Sequence, residues 1–77
     1  MSEMLLFYLV LKEANYKLAQ SHGLFLESKG FGVTRLDGAR IQFITRSHSL
    51  AKEVFGDIEN PTVPTEIAEG TESIYRP

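Results

Sequence analysis

The chain has 77 residues, of which 43% are apolar and 23% charged. That is one globular domain with a thin core, which leaves room for a homodimer or another partner to finish it. It contains no cysteine, which excludes disulfide frameworks, thiolate zinc sites and cysteine nucleophiles. The formal net charge is −2, but residues 1–52 hold seven basic and four acidic residues, whereas residues 53–77 hold six acidic ones and only Arg76. A basic body with an acidic end fits internal compensation, an acidic arm for a basic partner, or a tail that competes with an anionic ligand. No apolar run approaches the ~18–20 residues a bilayer span needs. The run Met4–Leu11 also lacks the flanks of a signal peptide. The expected setting is cytoplasmic, with no membrane partner.

Residues 5–11, Leu-Leu-Phe-Tyr-Leu-Val-Leu, are continuously apolar with aromatic and branched members and suit a strand. The rival is a long helix running on to residue 28. Residues 13–28 take up a helical period: Ala14, Asn15, Leu18, Ala19, His22, Phe25 and Leu26 fall within a sector of about 140°. Gly23 lies outside that sector and reads as a kink or an early end, and Lys29-Gly30 reads as a helix stop.

Phe31–Leu36 and Ala39–Arg46 form a pair of strands around Asp37-Gly38, a strong hairpin signal because both residues tolerate positive φ. That turn sets Arg35 opposite Arg40. Ser49 is the expected N-cap of a second helix carrying Leu50, Ala51, Val54 and Phe55, with Gly56 as its stop. Residues 1–60 then make one α+β domain and residues 61–77 an acidic tail. Alternation at Val63, Thr65 and Ile67 allows the tail an edge strand, to which Pro64 would confine it.

The order β-α-β-β-α, with a further β, points to a small ferredoxin-like sandwich: an antiparallel-rich sheet with two helices on one face. Leu5, Phe7, Leu9 and Leu11 should meet the helices, together with Gly32, Thr34, Leu36, Ala39, Ile41, Phe43 and Thr45. The other face then shows Leu6, Tyr8, Val10, Phe31, Val33 and Ile44 with Arg35, Arg40 and Arg46. Aromatics and arginines on an apolar patch are what an interface uses. The paired arginines repel each other unless an anion sits nearby: a phosphate, a partner carboxylate, or Glu66, Glu69 or Glu72.

Lys29-Gly30-Phe31-Gly32 is similar to the start of the RNP1 signature of the RNA-recognition motif, and Leu6-Phe7-Tyr8 is similar to RNP2. The likeness implies base stacking on a sheet. Val33 and Leu36 stand where RNP1 has aromatics, and the segment follows the first strand too soon, so it reads as a helix stop followed by a strand. His22 and His48 have no ligand partners at metal-site spacing. Ser47-His48-Ser49 has no recognisable carboxylate to orient its ring. Gly30-Phe31-Gly32 lacks the third glycine and the helix of a dinucleotide loop.

The expectation is therefore a non-enzymatic protein-binding module, an inhibitor, adaptor or regulatory subunit of the kind viruses and mobile elements carry. It would dock through Tyr8, Phe31, Val33, Arg35, Arg40, Ile44 and Arg46 on another protein or on its own copy, a homodimer being expected. No catalytic residue, metal or cofactor is foreseen. Nucleic-acid binding by the same face is one alternative. The other is small-molecule regulation at a dimer interface, as in ferredoxin-like modules resembling ACT domains, although no glycine-rich turn follows the first strand.

Overall fold

The computed structural model describes residues 3–77. Strand β1 is Leu5–Leu11, helix α1 Tyr16–Lys29, β2 Gly32–Leu36, β3 Arg40–Thr45, α2 His48–Phe55 and β4 Thr71–Tyr75, with a 3-10 turn at Thr65–Ile67 before β4. The strands form one antiparallel sheet in the order β2-β3-β1-β4. This is the ferredoxin-like arrangement. The long-helix reading of residues 5–11 is excluded. Every second residue of β1 is fully buried and the others are half-buried, which is how a strand splits an unbroken apolar run between two faces.

Local chemistry starts and stops each helix. The Asn15 side chain accepts from the Leu18 amide at 3.0 Å, satisfying an orphan donor at the start of α1. Gly30, at φ 109°, closes it in the left-handed conformation. Gly23 neither kinks nor ends α1. It is buried in mid-helix, where a Cβ would come within 3.0 Å of Leu36 Cδ1, so the missing side chain lets α1 lie close on β2. The second helix is capped by Ser47, not Ser49: the Ser47 hydroxyl accepts from the Leu50 amide at 3.1 Å. The cap must stand three residues ahead of the amide it satisfies, and Ser49 already lies inside the first turn.

The hairpin turns one residue later than its Asp-Gly signal suggests. The Asp37 amide donates to the Arg40 carbonyl at 3.2 Å, and Leu36 pairs with Ile41. The central residues are therefore Gly38 and Ala39, with Gly38 at φ 88°. Glycine at the first central position suits a twisted two-residue loop. Asp37 acts instead as the acceptor that folds the turn, its Oδ1 receiving the Ala39 and Arg40 amides at 3.0 and 2.8 Å. The tip is tied to the body, since the Gly38 and Ala39 carbonyls accept from Asn15 and Leu11 at 2.8 and 2.9 Å.

A bulge then reverses the faces of β2. Arg35 pairs with Gln42 and Val33 with Phe43, so Thr34 has no partner in the ladder. One extra residue moves everything before it to the opposite side of the sheet. Phe31 and Val33 therefore turn toward the helices and Gly32 turns away. Phe31 joins Phe7, Phe43 and Phe55 in a cluster whose contacting rings lie 5.2–5.5 Å apart. Leu5, Leu9, Leu26, Ile41 and Ile67 fill the core around it.

The last strand is Thr71–Tyr75, whereas Thr65–Ile67 makes a 3-10 turn that buries Ile67. Gly70, at φ 76°, bends the chain back onto the sheet, and its carbonyl accepts from the Lys12 amide at 2.9 Å. The radius of gyration, 11.3 Å, matches the roughly 11.5 Å of a folded chain this long. Residues 61–77 are thus packed with the rest.

Candidate functional site

Both helices pack on the face that carries Phe7, Ile41 and Phe43. The other face has no helix, and the register lays it out in three rows. At the hairpin end stand Arg40, Val10 and Ser73. In the middle are Arg35, Gln42, Tyr8 and Tyr75. Beyond them come Gly32, Ile44 and Leu6. Leu6, Tyr8, Val10, Gln42, Ile44 and Ser73 are half-buried, and Arg35, Arg40 and Tyr75 are exposed. Tyr8 and Tyr75 stack with ring centroids 5.5 Å apart.

Five of the seven residues expected to bind a partner remain candidates. Tyr8, Arg35, Arg40 and Ile44 lie together on this face. Arg46 is exposed just past the paired end of β3, in the link to α2. Phe31 and Val33 do not belong to it, because the bulge at Thr34 sends them to the core, where Phe31 is 4% exposed. That placement also removes base stacking by Phe31, the aromatic on which the RNP1 likeness rests.

Arg35 is not opposite Arg40. It pairs with Gln42 and stands diagonal to Arg40, which relaxes the repulsion between them. The nearby anion is Asp37. Its carboxyl is held below the ordinary aspartate value, first by the Arg40 and Ala39 amides and then by the Arg40 and Arg35 guanidiniums, with desolvation opposing. Glu66, Glu69 and Glu72 pair with neither arginine. Among the described residues the ion pairs are those of Arg76, to Glu3 and Glu59 at 3.5 Å each.

Tyr75 and Arg76 were not foreseen. The alternation Thr71, Ser73, Tyr75 carried the signal, but it is short and polar and stands next to an exposed Glu72. Arg76 follows Tyr75 directly and ties the end of β4 both to the residue ahead of β1 and to the loop after α2.

The histidines serve structure. His22 is buried in α1, with Nε2 3.2 Å from the Glu69 carbonyl, and His48 Nε2 is 3.3 Å from that of Glu3. The Ser47 hydroxyl is engaged as the α2 cap. Among the described residues no three His, Cys, Asp or Glu side chains are grouped to hold a metal ion. No helix among them is long and apolar enough to cross a membrane. The open face offers apolar contact, aromatic stacking and guanidinium donors, without a nucleophile–base pair.

Comparison with protein-family models, with curated proteins and with solved structures gives no significant match.

Proposed function

We propose that this protein is a non-enzymatic binding module that docks its open sheet face on a different protein, as an inhibitor, adaptor or regulatory subunit does. The observation that carries this reading is the row Arg35–Gln42–Tyr8–Tyr75 with Val10, Ile44 and Leu6 around it, uncovered by any helix. Tyrosine and arginine dominate interface energetics, and the aliphatic neighbours supply area that excludes water around them. The balance of the face, with three aliphatic residues against two arginines, favours a protein over a phosphate backbone, which a chain of net charge −2 also repels.

Charge favours another protein over a second copy. No carboxylate occupies a paired position on this face. A two-fold axis along the strands lays Arg35 on Tyr75 and Arg40 on Val10 of the other copy. An axis across the strands lays them on the Ile44 end or on each other. Either way the second copy brings the guanidiniums no counter-charge beyond each protomer's own Asp37, and desolvating them is costly. The complementary occupant is an apolar surface carrying carboxylates at the corner that meets the hairpin.

Sedimentation tests the first half: the chain should run as a monomer. A partner isolated on the immobilised chain and then purified should bind the wild type and lose about 30-fold or more in affinity to Arg35→Glu with Arg40→Glu, as hot-spot residues do. Both side chains are exposed, so circular dichroism of the double variant should be unchanged. Unaltered affinity in the folded double variant overturns the docking face. A dimer that dissociates on Tyr75→Ala overturns the separate partner. Binding of labelled oligothymidine with a steep salt dependence replaces this reading with a nucleic-acid one.

A further inference from the structure

The opposite layer holds a second feature, independent of the sheet face. A cavity of about 510 Å³ opens between the last turn of α1 and α2, where the segment carrying Pro64 and Glu66 passes. Its floor is apolar: Phe25, Leu50, Val54 and Pro64, all half-buried. Its rim is charged, with Lys29, Glu53 and Glu66 exposed around the opening. This is the size of a small-ligand pocket, and its lining is divided between that apolar floor and the polar Ser28, Lys29, Glu53 and Glu66.

The rim is electronegative. Glu53 and Glu66 make no ion pair among the described residues. The C-terminal end of α1, the negative pole of its dipole, is at the same opening. The one basic residue there, Lys29, is turned onto an aromatic ring: its Nζ lies 5.5 Å from the centroid of Phe25. The groove thus already holds an ammonium over the aromatic part of its floor, supplied by the chain itself. A ring face beside unpaired carboxylates is the chemistry that recognises organic cations.

We propose that this groove is a binding site for a small aromatic or branched aliphatic monoamine, whose ammonium takes the place of Lys29 over Phe25 and faces Glu53 and Glu66. The apolar body of the ligand lies on Leu50, Val54 and Pro64. Lys29 then acts as a built-in competitor, and the site is weak until its side chain swings out.

Three probes of one shape test this: phenethylamine, phenethyl alcohol and hydrocinnamate, cationic, neutral and anionic, titrated into the full chain and followed by amide-resolved NMR. The amine should bind best, with shifts centred on Phe25, Leu50, Val54 and Glu66. Lys29→Ala should tighten the amine by about 2- to 5-fold, the worth of one exposed cation–π contact, and the alcohol by no more than that. Glu53→Gln with Glu66→Gln should abolish the preference of amine over alcohol. All three side chains are exposed, so the variants keep the fold, which the same spectra verify. Hydrocinnamate binding as well as the amine, shifts lying elsewhere, or Lys29→Ala weakening the amine each overturns the site.

Discussion

Tyr8 of β1 and Tyr75 of β4 stack across the sheet with ring planes inclined by 29°, joining the central strand of the open face to its edge. Tyr75 is 40% exposed, which leaves part of its ring free for contact. Arg76, next in the chain, pairs with the exposed carboxylates of Glu3 and Glu59 at 3.5 Å each, a surface contact of small energy. Stacking restricts both rings before any partner arrives, so less side-chain entropy remains to be lost on docking.

Tyr75→Ala should therefore separate binding from folding. The lost stacking and partial burial amount to about 0.5–1.5 kcal/mol of stability, read as a small shift in denaturant midpoint. Affinity for the purified partner should fall about tenfold or more, as for an anchor residue at an interface. A large loss of stability with unchanged affinity would show that the pair serves the sheet rather than the partner.

Phe31 gives the opposite contrast. It meets Phe43 edge-on at 5.4 Å and Phe55 at 5.2 Å, so Phe31→Ala opens a cavity in a core that is small to begin with. The expected cost is about 3–5 kcal/mol, a large part of the roughly 5–15 kcal/mol that holds a domain together. Equilibrium denaturation measures it directly. A cost below about 1 kcal/mol, the scale of a surface substitution, would return Phe31 to the solvent face and remove the bulge from the account of β2.

The contrast also shows what the sequence makes legible. Strand β1, both glycine helix stops and the ferredoxin-like order follow from apolar runs, a 3.6 period and turn residues, all local signals. The side on which Leu6, Tyr8 and Val10 lie follows from strict alternation in β1. Alternation fails in β2 because Thr34 is spent on a bulge, and nothing local marks it. Only the pull of Phe31 toward the other phenylalanines, a contact distant along the chain, decides that register. The same holds for β4: its place beside β1 rests on Ile67 and Ile74 reaching the core, whereas the nearby alternation of Val63, Thr65 and Ile67 is the stronger local pattern and is not a strand.

Asp37 makes the hairpin acid-sensitive in a defined direction. Its folded carboxyl lies below the ordinary value because the Arg40 and Ala39 amides, and then the Arg40 and Arg35 guanidiniums, favour the anion. A group depressed in the folded state stabilises it above the unfolded value and ceases to do so as pH falls through the folded one. The gap in stability between the wild type and Asp37→Asn should thus be constant from neutrality to about pH 5 and shrink below about pH 4, where a free aspartate takes up its proton. Salt should narrow the part of the gap due to the arginines, since the site is exposed and screened, and leave the part due to the amides. Thermal midpoints of both proteins across this range measure the effect. A gap that widens on acidification would mean that Asp37 is held with a raised carboxyl, and that the two arginines lack the internal counter-charge the hairpin gives them.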